Sequence, residues 1–243
     1  RRVERVALLI IFPWEPSTVL ITGSNRGLGL KFAELYSLKN YNVIATCRDP
    51  DNASNLIKLT DQSDSITIQS LDVGKSEQIK NLASTLDSTP IDILINNAGI
   101  WRSSSLGSAD KQAWLESFAI NSIAPYELTH ALLPSLNKGN QKKVVSITSK
   151  MGSIDDNTSG SSYIYRSSKS ALNMVMRSLE HDLQSHDIAT LTLHPGWVQT
   201  DMGGMNALID DMQSVSGMIE VIDSLNIKNT GRFIDYSGKK INW

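Results

Sequence analysis

Thr22-Gly23-Ser24-Asn25-Arg26-Gly27-Leu28-Gly29 is the stretch whose reading decides the fold. It follows an apolar run, Val19-Leu20-Ile21, and leads into a helical pattern of Leu28, Leu30, Phe32, Ala33, Leu35 and Tyr36. Strand, glycine turn and helix in that order form the context in which a glycine motif is informative. Gly23 can turn the chain sharply off the strand, since a residue without Cβ tolerates positive φ. Gly27 allows the backbone to approach a pyrophosphate, and Gly29 allows the helix to pack on the sheet. The helix N-terminus, with unpaired N–H groups and the positive end of its dipole, then faces the phosphates. Ser24, Asn25, Arg26 and Leu28 complete the expected nucleotide-binding turn. A ligand-free strand-to-helix turn is the alternative for this stretch taken alone.

Working outward, strand-like and helix-like segments alternate. Tyr41–Cys47, Ile66–Leu71, Ile91–Ile95, Lys143–Thr148, Ile188–His194 and Arg232–Asp235 read as further strands. Lys75–Leu86 and Tyr163–Leu183 read as helices, and a long helical region runs from about Ala109 to Leu136, interrupted at Pro125. This alternation predicts one α/β domain over residues 17–243, a Rossmann-type doubly wound parallel sheet of about seven strands with helices on both faces.

Bulk properties narrow the function. The 243 residues suit one domain with a substantial core. The net charge is −2 and no basic run marks a nucleic-acid or membrane surface, so neither partner is expected. Cys47 is the single cysteine, which excludes an intramolecular disulfide and fits a reducing, cytoplasmic compartment. The histidines at 130, 181, 186 and 194 show no metal-ligand spacing, and no metal is expected. Residues 1–16 differ from the rest: Arg1, Arg2 and Arg5 precede an apolar Val6–Phe12 run that Pro13 and Pro16 close. No small-residue cleavage site follows, and seven apolar residues fall short of the about 20 needed to span a bilayer. This segment reads as an added, mistranslated or disordered extension ahead of a natural start near Ser17.

The glycine spacing, Gly-x-x-x-Gly-x-Gly, resembles that of the short-chain dehydrogenase/reductase family. Later stretches match the family in order, each at the carboxyl end of a strand, where an open α/β sheet holds its ligand. Asp72-Val73 resembles the pair that contacts the adenine. Asn96-Asn97-Ala98-Gly99 resembles the stretch that supports the sheet and lines the adenosine side. Pro195-Gly196-Trp197-Val198-Gln199-Thr200 resembles the segment whose backbone and Thr hold the nicotinamide carboxamide. Strand-end turns are rich in these residue types in any protein, so it is their succession that carries weight.

The Tyr-x-x-x-Lys spacing occurs twice, at Tyr165/Lys169 and at Tyr236/Lys240. The second pair lies in a turn-like tail and is set aside. Tyr165 and Lys169 stand in the first turns of a long helix, where i and i+4 share a face. With Ser149 at the end of the fifth strand and Asn121 in the preceding helix, they complete, by resemblance, the family's catalytic tetrad. The residue types suit carbonyl reduction, which needs a hydride on carbon and a proton on oxygen. A free phenol, of pKa about 10, exchanges its proton poorly at neutral pH, and a nearby ammonium should lower that value. Ser149 can donate to the substrate oxygen, Lys169 can reach the ribose hydroxyls, and Asn121 resembles the family residue that holds a water on the proton path.

Cofactor preference follows from charge. Where NAD-binding members usually carry an acidic residue, this chain has Cys47 followed by Arg48, with Arg26 near the turn. Two guanidinium groups favour a 2′-phosphate, so NADP(H) is expected, with NAD(H) as the alternative if Asp49 reaches the ribose. Within the family the resemblance is to the C-factor and sniffer-like carbonyl reductases, carried by Ala45–Pro50, Tyr165–Asn173 and Gly231–Gly238. Lys150 after Ser149 departs from the usual small or apolar residue. The resemblance implies a small-molecule carbonyl or alcohol as substrate and a homodimer or homotetramer. A nucleotide-binding signalling or sensor protein that need not turn over is the second reading. Asp201–Ser214, with Met202, Met205, Ala207, Leu208 and Met212, is expected to form an apolar substrate lip.

Overall fold

The computed structural model describes residues 16–243, so the extension expected over residues 1–16 falls, but for Pro16, outside the described residues. The strands are β1 (Thr18–Thr22), β2 (Asn42–Cys47), β3 (Ile66–Ser70), β4 (Ile93–Asn96), β5 (Lys143–Ile147), β6 (Ala189–His194) and β7 (Arg232–Asp235). They form one seven-stranded sheet in the order β3-β2-β1-β4-β5-β6-β7, with every adjacent pair parallel. The helices are α1 (Gly27–Leu38), α2 (Ser54–Thr60), α3 (Ser76–Thr85), α4 (Lys111–Phe118), α5 (Ala124–Ala131), α6 (Leu133–Lys138), α7 (Tyr163–Leu183) and α8 (Asp211–Asp223).

Central strands buried on both faces read as continuous apolar runs, and β1 and β4 do so. Side chains alternate across the sheet. Val19, Ile21, Ile93 and Ile95 enter one core with Phe32 of α1 and Met218 of α8, while Leu20 and Leu94 enter the other with Ile79 of α3 and Leu172 of α7. The strand order reverses between β1 and β4, which opens a crevice at their carboxyl ends.

Asp92 ties the opposite, amino ends together. Its buried carboxylate accepts from the Thr18 N–H at 2.8 Å and from the Asn140 and Gln141 N–H groups at 2.8 and 3.0 Å. Thus β1, β4 and the approach to β5 share one acceptor.

Two local features differ from the sequence expectation. Helix α2 is not legible, because its seven residues bury only Leu56 and give no repeat of apolar positions. The helical region does not break at Pro125. It passes through Pro125 near the start of α5 and widens just before it into a π-helical turn at Ala119–Ile123, where the Ala124 N–H donates to the Ala119 carbonyl. Pro125 has no N–H to give to the Asn121 carbonyl, so the tight ladder loses a rung there and the wider turn takes its place. The interruption falls instead at Leu132, between α5 and α6, with Pro134 just beyond.

Candidate active site

The glycine turn is strapped to the end of β4. Thr22 Oγ1 accepts from the N–H groups of Asn97 and Ala98 at 3.0 and 2.9 Å. The Asn97 side-chain amide donates to the Thr22 and Gly23 carbonyls at 2.8 and 3.2 Å. Gly23 has φ of +68°, which a side chain would strain. A Cβ on Gly29 would run into the Gly23 carbonyl, so helix and turn can touch here only through glycine. Ser24 is fully buried, bonded through its N–H to the Thr46 carbonyl at 2.9 Å. Arg26 precedes α1 in extended backbone; no side chain caps the helix and no acidic residue enters its first turn. A cradle closed to Cβ atoms, ending in uncapped N–H groups, fits a pyrophosphate.

Thr22, Val73, Asn96 and Ala98 line the crevice beside this turn, together with Ile120 and Ala124. Asp72 turns one carboxylate oxygen onto the Gly74 N–H at 3.0 Å. At the end of β2, Cys47 is buried, which raises its thiol pKa, while Arg48 and Asp49 are exposed. Asp49 accepts from Asn52 at 2.7 Å, and Arg48 has no ion-pair partner among the described residues. Arg26 pairs across the turn with Asp201 at 3.0 Å.

Asn121, Ser149, Tyr165 and Lys169 converge at the carboxyl ends of β4 and β5. All four are buried, Asn121 completely and Tyr165 at 8 % exposure. Lys169 Nζ lies 5.9 Å from the Tyr165 ring centroid and donates to the Ile147 carbonyl at 2.9 Å. A Cβ on Gly99 would touch both Asn121 Oδ1 and Lys169 Nζ, which places that turn between them. Ser149 Oγ accepts from the Met151 N–H at 3.1 Å, in the short turn leading away from β5. Burial pushes the Tyr165 phenol up to about 12, and hydrogen bonding with Ser149 acts in the opposite direction. Burial also brings the Lys169 ammonium down to about 8. The expected lowering of the tyrosine by the lysine is therefore not what this geometry gives. Lys169 points its ammonium at the Ile147 carbonyl, and loss of water from around the phenol dominates.

The Asn121 side chain uses both of its N–H groups and one lone pair of its oxygen. Its Oδ1 accepts from the Ile100 N–H at 2.8 Å, and its Nδ2 donates to the Ile100 carbonyl and to Ser168 Oγ, both at 2.9 Å. One residue further on stands Trp101, which sequence reasoning missed. Its ring is tilted over that of Tyr165 with centroids 4.5 Å apart, and it remains 38 % exposed. A lone tryptophan after a strand-end turn carries no periodic signal, and only the fold sets it beside Tyr165.

After β6, Gly196 has φ of +86° and packs against the ring of Tyr236. This gives the second Tyr-x-x-x-Lys pair a structural place, since Lys240 bridges back to Ile234. Val198 bridges to Ile209, and Thr200 Oγ1 accepts from the Gly203 N–H at 3.2 Å. The Pro195 carbonyl accepts from the buried Ser214 hydroxyl at 2.6 Å. The lip expected over Asp201–Ser214 splits: Met202, Met205, Leu208 and Met212 are exposed, whereas Ala207 is buried. Lys150, the departure noted after Ser149, is paired with Asp156 at 3.0 Å. Among the described residues no helix is long and apolar enough to cross a membrane, and no cluster of His, Cys, Asp and Glu could hold a metal ion.

Comparison with known proteins agrees with this fold. The family model described as short chain dehydrogenase matches residues 17–208. C-signal of Myxococcus xanthus is 45% identical over 168 residues, 68% of this chain and 100% of that protein. The NADPH-bound carbonyl reductase from chicken fatty liver superimposes with a TM-score of 0.88 at 36% identity, covering 94% of this chain and 100% of that one. Carbonyl reductase Sniffer of D. melanogaster gives 0.89 at 33% identity with the same coverage.

Proposed function

Because the chain belongs to the short chain dehydrogenase family, we propose that it is an NADPH-dependent reductase of aldehydes or ketones, with Tyr165 as its acid. The observation that carries this reading is the buried group of Ser149, Tyr165 and Lys169 beside the uncapped start of α1. The protein is an oxidoreductase that binds NADP(H). The nucleotide, when bound, supplies the hydride that adds to the carbonyl carbon. Gly23, Ser24, Asn25, Arg26, Gly27, Leu28 and Gly29 would hold its pyrophosphate. Asp72, Val73, Asn97, Ala98 and Gly99 would line its adenosine and ribose side, and Pro195, Gly196, Val198 and Thr200 would flank its nicotinamide.

Tyr165 then passes its proton to the carbonyl oxygen while Ser149 donates to the same oxygen, where negative charge develops. With its phenol pushed up to about 12 by burial, Tyr165 carries that proton throughout the neutral range. Lys169, on the same helix face, would hold the ribose hydroxyls of the nucleotide. Asn121 uses both side-chain N–H groups and one lone pair of Oδ1, so a water on the proton path would be held by the other Oδ1 lone pair or by its backbone carbonyl, which Pro125 leaves without the usual donor.

Arg48 is the group that reads the 2′-phosphate, in keeping with its having no ion-pair partner among the described residues and with the engagement of Asp49 by Asn52. Arg48→Ala should weaken NADPH binding by about one to two decades, the effect of one charge-assisted contact, while NADH binding changes little. Cys47→Asp should move preference toward NADH even with Arg48 present. Titration of both cofactors checks this, and tighter NADH binding by the wild type would shift the reading to Asp49.

Similarity to C-signal favours a second reading, a nucleotide-binding signalling protein for which turnover is dispensable. NADPH oxidation measured across a panel of aldehydes and ketones separates the two. Turnover that depends on Tyr165 supports the reductase, and binding of NADPH without turnover on any member supports the sensor.

A further inference from the structure

Trp101 is a large apolar side chain in tilted contact with the Tyr165 ring, and it is held there from both sides. Upstream, the Asn121 amide clamps both the N–H and the carbonyl of Ile100, and its remaining N–H reaches Ser168 on α7. Downstream, Ser104 is buried against the start of α7. Its carbonyl accepts from the Ser162 N–H at 2.9 Å and from the Ser161 hydroxyl at 3.2 Å, and its own hydroxyl accepts from the Ile164 N–H at 3.0 Å. Between these anchors, Arg102 pairs with Glu116 of α4 at 2.8 Å. The segment is thus fastened to the same helix that carries Tyr165, so the two rings are set as one unit.

A ring so fastened loses little freedom when a ligand meets it, and its contacts are preorganised. One part of the indole covers the phenol, and 38 % of the residue still faces solvent. A group attached to a carbonyl held at the Tyr165 hydroxyl would have this free surface as its neighbour. Aromatic rings in offset or tilted contact gain more than burial of area alone provides, whereas a saturated ring of equal size gains only the area.

We infer that Trp101 is a specificity-determining residue of the acceptor site, selecting flat, conjugated carbonyl compounds over saturated ones of the same size. This rests on the reductase reading given above. The indole has no part in the proton path, so its effect falls on KM more than on kcat.

The test compares acetophenone with cyclohexyl methyl ketone, which share a carbon skeleton and differ in flatness. The ratio of kcat/KM for the two ketones is measured with NADPH for the full-length wild type, Trp101→Phe and Trp101→Ala. The aryl preference should fall by about tenfold in Trp101→Ala, mainly through KM, and should be largely kept in Trp101→Phe. A ratio unchanged in Trp101→Ala overturns the inference while leaving the reductase reading intact. If the wild type reduces neither ketone, that result counts against the reductase reading, and saturation-transfer NMR of both ketones on the protein with NADPH then decides this one. Stronger binding of acetophenone that Trp101→Ala abolishes sustains the inference; equal binding of the two ketones overturns it.

Discussion

A phenol buried as deeply as Tyr165 holds its proton until something in the site takes it, and the rest of its ring is locked by Trp101 and α7. Tyr165→Phe keeps that packing and removes only the transferable proton. It should leave NADPH titration nearly unchanged and cut carbonyl turnover by about a hundredfold or more. Tyr236→Phe, at the other Tyr-x-x-x-Lys pair, should leave the chemistry alone, as steady-state rates on one substrate will show. Lys169 allows a test through stability. Its folded pKa of about 8 lies below the ordinary 10.5, so between those values the unfolded chain binds the extra proton and the folded form gains stability as pH rises. Lys169→Met lacks this response. Urea melts of the nucleotide-free proteins from pH 8 to 10 should therefore move in favour of the wild type, by up to about 1.4 kcal/mol per pH unit. A gap that stays constant over that range would remove Lys169 as a desolvated ammonium.

Among the elements, the junction of β1 and α1 has the least room for change. Gly29→Ala puts a methyl group into the Gly23 carbonyl, and backbone cannot swing aside as a flexible side chain would. Forcing the two apart should cost about 1–3 kcal/mol or more, and should also open the cradle. Differential scanning fluorimetry should register a loss of about 2–4 °C per kcal/mol, and NADPH affinity should fall with it. Full retention of both would mean that the turn relaxes without consequence. The π-helical turn before Pro125 is the other irregular junction, and it places Asn121 where one side chain serves both Ile100 and Ser168. Regular helical spacing would rotate that amide elsewhere.

Over the whole molecule, the apolar alternation of Val19-Leu20-Ile21 and Ile93-Leu94-Ile95 made the sheet legible, because both faces are covered and every strand residue is committed. The long helix from Tyr163 to Leu183 was equally legible, having no proline or glycine to interrupt it. The site residues could be placed in order along the chain because an open parallel sheet puts its strand-end turns on one edge. What escaped was whatever depends on partners distant in sequence. Helix α2 buries a single leucine, the π turn answers to one missing N–H, and Trp101 meets Tyr165 across 64 positions of chain. The balance between burial and charge at Tyr165 escaped for the same reason, since water exclusion is a property of the assembled site. Asp92 supplies the global prediction. Asp92→Ala leaves three backbone N–H groups without their acceptor and should cost on the order of 3–5 kcal/mol, read as a lower urea midpoint, while the Kd for NADPH holds. Asp92 gathers its strands at the amino end, and every group assigned to the nucleotide or the substrate lies beyond the other end. Foundation and workshop thus stand about one strand length apart, so that the catalytic rim can be rebuilt for another acceptor without disturbing what keeps the sheet assembled.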